Sequence, residues 1–346
     1  MQAVISSEKA EKLGAIISSG GNAAIVVHTR PDGDALGSGI AMRRYLSEAK
    51  GMDATLIIPD TLPLTLGFLT DGEPIVNAEK DAASAREAIL GCDLLIVLDM
   101  NAFRRAGALE DTLCGCPAKE KVLIDHHLNP QEDQFTLVFS KQDISSASEL
   151  LYWILTSLEG GPEKLPSACL DALMTGMTTD TNNFANSVYP STLEMAGELL
   201  AAGVDRDAIV GHLYQEYSET RIRAFAALLG EHLTILPGGI AYIVATGEFQ
   251  KKYPLLPGET EGLVNIPMSI KAVNMSLFLK EEKDHFHVSI RSKKGWSANR
   301  MARESFNGGG HELAAGGKLF FPRDIASPAN IYDYLAATAA RFVQKD

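Results

Sequence analysis

The sequence predicts an α/β protein in two parts, an N-terminal mainly parallel sheet with helices on both faces and a smaller C-terminal α+β domain. Three observations lead there. A chain of 346 residues, 46% of them hydrophobic, is longer than one usual core requires. In its first 145 residues, short apolar runs alternate with segments of helical spacing, the pattern of βαβ units. Beyond residue 230, strand-like runs follow one another directly and helices cluster at the end, which fits an α+β unit.

The first strands are read at 23–29 (AAIVVHT), 53–59 (DATLIIP), 92–100 (CDLLIVLDM), 121–127 (KVLIDHH) and 135–141 (FTLVFSK). Their near-continuous apolar character suits strands buried on both faces. The segment 35–50 places apolar residues at helical spacing, and helices at 146–159, 166–181 and 191–203 complete the domain, with Gly203 as C-cap. Ser38 is read as the cap of the helix that begins near Ala35. The expected division is 1–205 for the first domain, 206–230 for a helical connector and 231–346 for the second domain. Strands at 232–238, 239–246, 275–282 and 285–292, with helices near 260–273, 296–306 and 328–343, build the latter.

Composition narrows the function classes. The N-terminal segment lacks the basic flank and apolar stretch of a signal peptide, and no run of about 18 apolar residues occurs, so the expected location is cytoplasmic, with no membrane partner. Four scattered cysteines (Cys92, Cys114, Cys116, Cys169) form neither a disulfide framework nor a zinc site and are expected reduced. A net charge of −13 argues against a general grip on long nucleic acid, which relies on many Lys and Arg contacts to phosphate. Short anions remain compatible, since they need only a local cationic pocket.

In open parallel sheets ligands bind at the carboxyl ends of the strands. Four polar clusters stand at such ends here. The first strand runs into His28-Thr-Arg-Pro-Asp32-Gly-Asp34-Ala-Leu-Gly-Ser38, the third ends in Asp99, the fourth in Asp125-His126-His127, and a helical segment closes on Asp180. An isolated Asp-Gly after a strand is ordinary turn chemistry. Asp99 and Asp125, however, each close an apolar run, where an unpaired carboxylate costs several kcal/mol unless it meets a cation or hydrogen-bond donors. His28, Asp32, Asp34, Asp99, His126 and Asp180 suffice for two divalent cations if one Asp bridges, and such a pair sits ~3.5–4 Å apart. Imidazole and carboxylate together suit Mn²⁺, with Mg²⁺ or Fe²⁺ as other ions the set accepts. The chemistry this implies is hydrolysis of a phosphate ester or anhydride.

These motifs resemble those of the DHH phosphoesterases, and within them the NrnA-type branch that carries a DHH-associated C-terminal domain. HTRPDGDALGS (28–38), the Asp of VLDMNAFRRAG (97–107), Asp125-His126-His127 and TGMTTDTNNF (175–184) occur in the family's order, and FNGGGHELAAGG (306–317) matches the glycine signature of the second domain. The resemblance implies that His28, Asp32 and Asp99 hold one metal and Asp34, Asp99, His126 and Asp180 the other, with Asp99 bridging. It further implies that His127 contacts the scissile phosphate, where a histidine can protonate the leaving oxygen, with Asp125 orienting the histidines. The active site would lie in the cleft between the domains, and a homodimer is also implied. Two positions depart from the commonest family form, Asn182 and Asn307, where Asn tolerates positive φ and so preserves the backbone. Arg104 and Arg105 follow Asp99 closely, and two readings stand: one of them reaches substrate phosphate or the domain interface, or they belong to a solvated helix end.

In the second domain, Gly308-Gly309-Gly310-His311 lacks the Gly-Lys-Ser/Thr of a P-loop. Read alone the run is a flexible turn; read with the family it lets backbone N–H groups approach an anion, with His311 adding a charge-assisted contact. Strand 285–292 places His285, His287, Ser289 and Arg291 on one side, and Arg291 is the natural phosphate fork. Asn299 joins the substrate-binding set. His285 and His287 are read as solvent-facing and Trp296 as packing, with base stacking as its alternative. The substrates expected are very short oligoribonucleotides or the nucleotide bisphosphate pAp. Alternatives are polyphosphate or pyrophosphate, linear dinucleotides from cyclic signalling molecules, and, from another class, a non-catalytic nucleotide sensor.

Overall fold

The computed structural model describes residues 4–343 and divides into two units, one running to Glu216 and the other beginning at Tyr217. The boundary falls inside the segment expected as connector, between the helices Arg206–Tyr214 and Glu219–Glu231.

In the first unit, β1 (Asn22–Val26), β2 (Asp53–Ile58), β3 (Ile75–Asn77), β4 (Leu94–Leu98), β5 (Glu120–Asp125) and β6 (Leu137–Ser140) form one sheet in the order β3-β2-β1-β4-β5-β6. Every neighbouring pair is parallel. Central β4, with all five residues buried, shows why the strands read as unbroken apolar runs: both faces are covered. Ile25, Ile96, Leu98 and Ile124 pack on the helices Gly33–Arg44, Ala147–Glu159 and Ser167–Asp180, while Ala24, Val26, Leu95, Val97 and Leu123 meet Ile89 and Leu113 on the other face. The strand order reverses between β1 and β4, so their carboxyl ends open the crevice where such sheets take ligands. β3 was missed in the sequence because three half-buried residues are too few to show a period.

Ser38 does not cap the helix. Asp32 does, accepting the Asp34 and Ala35 amide N–H groups at 3.1 Å each, while Ser38 lies a turn and a half further in, fully buried, and donates to the Asp34 carbonyl at 2.7 Å. The helix Pro190–Ala201 ends at C-cap Ala202, and Gly203 takes the left-handed φ of 96° one residue later.

The second unit has a mixed sheet of β7 (Leu233–Leu236), β8 (Ile240–Ala245), β9 (Met275–Glu281), β10 (His285–Ser292), β11 (Gly309–Gly310) and β12 (Ala314–Phe320), in the order β11-β12-β10-β9-β8-β7. All pairs are antiparallel except β8 with β9. β10 alternates as expected, with Phe286, Val288 and Ile290 buried and His285, His287, Ser289 and Arg291 half-buried. Its apolar face packs on the helices Ala298–Ser305 and Ile331–Val343 through Met301, Phe306, Leu335 and Phe342. Trp296 belongs to this packing, its ring stacked on Phe342 with centroids 6.1 Å apart. The helix expected near 260–273 is instead a 3₁₀ segment, Leu263–Ser269, because Pro267 lacks the N–H that an α-helical turn there would need. Among the described residues no helix is long and apolar enough to cross a membrane.

Candidate metal centre

His28 lies two residues beyond β1, 7% exposed, with Nδ1 2.8 Å from the Thr29 carbonyl oxygen. A carbonyl only accepts, so Nδ1 carries a hydrogen and Nε2 turns toward the carboxylates, the nitrogen that ligates a metal once it is unprotonated. Asp99 follows β4 at a φ of 53°, outside the range side chains prefer, and its N–H is held by the Ile124 carbonyl at 3.1 Å. His28 Nε2 and Asp99 Oδ1 are both buried without a hydrogen-bond partner. Buried polar atoms without a partner, facing a common space, cost free energy unless a cation fills it.

The surrounding groups converge on that space. His28 Nε2 is 3.3 Å from Asp99 Oδ2 and 3.8 Å from Asp32 Oδ1. His126 Nε2 is 3.3 Å from Asp99 Oδ1, 3.5 Å from Asp180 Oδ2 and 3.7 Å from Asp34 Oδ2. Within this unit, His28-Asp32-Asp99, Asp34-Asp99-His126 and Asp99-Asp125-His127 each bring their donor atoms within 4.8 Å of one another, and Asp99 is common to all three. The donor set is oxygen and imidazole nitrogen with no thiolate, which fits a hard or borderline divalent cation.

Asp34 is 1% exposed and accepts two backbone N–H groups at the start of the helix Ala147–Glu159, from Ala147 at 2.7 Å and Ser148 at 2.8 Å. The positive end of that helix therefore faces the carboxylate. Ser146 caps the helix through the Glu149 N–H, and buried Glu149 accepts from the Ser145 N–H and the Thr192 hydroxyl, which fixes the turn. The spacing Ser146-x-x-Glu149 marks a helix start in the sequence. Nothing local to it points to Asp34, so the cradle was missed.

The charges are interdependent. Burial, then the Asp99 and Asp180 charges, push the Asp34 carboxyl well above the usual range. Burial opposes the charge on His126, yet the Asp99 carboxylate 3.3 Å away and the other carboxylates around it raise its pKa to about 10. Asp99, despite burial, is held well below the carboxylate range by His126 and His28. In a metal-free centre, protons occupy the role a cation would take.

Asp125 is fully buried and holds His127, with Oδ1 2.8 Å from Nδ1 and Oδ2 accepting the His127 N–H at 3.2 Å. Burial and the Asp99 charge raise Asp125 to about 6. Of the two arginines after β4, Arg104 is exposed, whereas Arg105 turns inward to His127 Nε2 at 2.8 Å. Both Asn182 and Asn307 take positive φ, 48° in each case, the conformation for which Asn was singled out.

Gly107 shows how tightly the loops close. Its φ is 59°, and a Cβ there would sit 2.7 Å from Thr29 Cγ2. Gly107→Ala is expected to cost about 1–3 kcal/mol of stability from backbone strain, read as a lowered melting temperature. An unchanged melting temperature would mean the loops yield freely.

In the second unit, Arg291 of β10 pairs in register with Ala314 of β12, whose carbonyl accepts the His311 N–H at 2.7 Å. The Arg291 guanidinium donates to the Ile290 carbonyl at 3.0 Å, and the Asn299 amide donates to the Gly310 carbonyl. Gly308 is no flexible turn residue, since a Cβ would lie 1.9 Å from the Gly316 carbonyl oxygen, and Gly309 and Gly310 pair with β12. Arg291, Asn299 and Gly308–His311 thus gather at one end of one sheet.

Two family models match the chain, the DHH family N-terminal domain over residues 22–177 and the DHHA1 domain over residues 241–327. The chain is 26% identical over 298 residues to the bifunctional oligoribonuclease and PAP phosphatase NrnA of Bacillus subtilis, covering 85% of this chain and 88% of that protein. The crystal structure of an exopolyphosphatase-related protein from Bacteroides fragilis superimposes with a TM-score of 0.91 at 30% identity, over 100% of this chain and 99% of that one. RecJ of Thermus thermophilus, solved in complex with Mn²⁺, shares the fold with a TM-score of 0.58 at 17% identity, over 98% of this chain and 54% of RecJ.

Proposed function

Because the chain belongs to the DHH family, we propose that it is a two-metal phosphoesterase that hydrolyses very short oligoribonucleotides to mononucleotides and removes the 3′-phosphate of pAp. The observation that carries this reading is the pair of buried polar atoms without a hydrogen-bond partner, His28 Nε2 and Asp99 Oδ1, inside a ring of carboxylates. Similarity to the B. subtilis enzyme along most of both chains supports the substrate class.

His28, Asp32 and Asp99 are assigned to one cation, and Asp34, Asp99, His126 and Asp180 to the other. Mn²⁺ is the ion we favour, given the mixed donor set. When bound, two such cations lower the pKa of a water and neutralise charge on the phosphoryl oxygens. The chain's own residues shape that space: Asp34 is fixed by two backbone amides, and the His127 ring is held between Asp125 and Arg105 beside Asp99. Arg291, Asn299, Gly308, Gly309, Gly310 and His311 are assigned to gripping the nucleotide, through a guanidinium fork, an amide and backbone N–H groups.

Mononucleotide release with Mn²⁺ is the direct test, comparing a dinucleotide RNA, a long single-stranded RNA, pAp and polyphosphate. Fast release from the dinucleotide and pAp and slow release from the long strand are expected. Activity confined to polyphosphate would overturn the substrate assignment, and that outcome matters because the B. fragilis relative is described as exopolyphosphatase-related.

A further inference from the structure

Arg105 sits in the 3₁₀ segment Phe103–Leu109 that follows β4, and it touches three of the loops that carry the centre. Its carbonyl accepts the Thr29 N–H at 2.9 Å, which holds the loop between His28 and Asp32. Its Nη1 donates to the Asp99 carbonyl at 3.2 Å and lies 2.8 Å from His127 Nε2. The neighbouring Gly107, at positive φ, lets the same segment close onto Thr29.

We propose that Arg105 is a positioning residue of the metal centre: one nitrogen of its guanidinium ties the Asp99 loop to the His127 ring and fixes the hydrogen-bond direction of that ring. The proposal rests on the phosphoesterase reading for its consequence and on geometry for its content.

A guanidinium only donates, so His127 Nε2 accepts from Arg105. The ring hydrogen then lies on Nδ1, where Asp125 Oδ1 accepts it at 2.8 Å. The chain of bonds runs Arg105 to His127 to Asp125, with one direction throughout. Without the guanidinium, Asp125 still holds one side of the ring, but this chain of bonds no longer fixes the Nε2 side or ties the ring to the Asp99 loop. The Asp99 carbonyl loses a donor at the residue that already bears a strained φ of 53°. Both losses loosen the geometry around the reacting phosphate while leaving every assigned metal ligand in place. The two arginines after β4 thus separate in role, since Arg104 is exposed.

R105A and R105K test this against a dinucleotide RNA with Mn²⁺. R105A is expected to lower kcat roughly 10- to 100-fold, the scale of losing an outer-shell partner at a metal site. KM and the Mn²⁺ concentration for half-activation should stay near wild type, and so should the melting temperature. R105K keeps donors at the end of a long stem and should recover most of the loss, and guanidinium ion added to R105A should restore part of it. Wild-type kcat in R105A overturns the proposal, as does a loss that disappears at saturating Mn²⁺ or that follows a lowered melting temperature. Nitrogen-15 spectra of His127 in the Mg²⁺-loaded protein decide independently of turnover. A single Nδ1–H tautomer in wild type that becomes mixed in R105A supports the assignment, and identical spectra overturn it. A wild-type protein that releases no nucleotide would sink the phosphoesterase reading and leave the spectra to judge Arg105.

Discussion

Asp99→Asn is expected to lower Mn²⁺-dependent turnover by about 10³-fold, the scale on which removal of a single electrostatic stabiliser acts in a water-excluded site. Asp99 is 2% exposed and lies within 3.5 Å of nitrogen atoms of His28, His126 and His127. Asparagine keeps the shape but removes the charge that both assigned cations share. The variant should also lose metal-free stability near neutral pH. A carboxyl held well below its ordinary range stabilises the fold above its unfolded value and loses that contribution only as pH falls through the lowered folded value. Asp32→Asn makes the informative contrast. Its side chain is 52% exposed and caps a helix, and asparagine caps about as well as aspartate, so the fold should hold and only one ligand is weakened. Its turnover should fall at least tenfold less than that of Asp99→Asn. Measured kcat and melting temperatures for the two variants settle the comparison, and an Asp99→Asn enzyme with more than a tenth of wild-type activity would refute the shared role of Asp99.

What could be read in the sequence depended on whether the cause was local. Asp99 and Asp125 stood out because each ends a run of apolar residues, and the parallel sheet brings those ends to one edge through hydrogen bonding that follows from the same runs. The amide cradle around Asp34 was invisible, since its donors are backbone N–H groups of Ala147 and Ser148, which lie 113 and 114 residues away and which no side-chain pattern announces. Arg105 was legible as a residue near the site but not as a partner of His127, because the direction of its side chain depends on how the Phe103–Leu109 segment turns at Gly107. Ser38 misled for a simpler reason. A serine near a helix start is a good cap only if it precedes the first turn, and the Asp32-Gly-Asp34 sequence offered an earlier oxygen. The segment 260–273 has helical spacing, but one proline overrides it.

Mn²⁺ at a hundred times its dissociation constant is expected to stabilise the first unit by about 2.7 kcal/mol, a rise of roughly 5–10 °C in melting temperature for a unit of that size. The gain should depend on pH, and its sign follows from His126. In the metal-free fold its pKa is about 10, above the unfolded value near 6.5, so its protonated form contributes stability that is fully present below about 6.5 and is lost as pH rises through about 10. A metal takes Nε2 only when that nitrogen is unprotonated, so binding near pH 7.5 must expel this proton, and Asp34, also raised, adds to the release. The apparent affinity therefore climbs as pH rises from 6.5 toward 10, and the same Mn²⁺ concentration should stabilise more at pH 8 than at pH 6.5. Calorimetric titration in buffers of different ionisation enthalpy measures the released protons directly, with Asp34→Asn as the variant in which both heat and stabilisation should shrink. Equal stabilisation at the two pH values with no proton release would mean that His126 is not a ligand, and that the carboxylates around it are balanced by the histidine's own charge rather than by a cation.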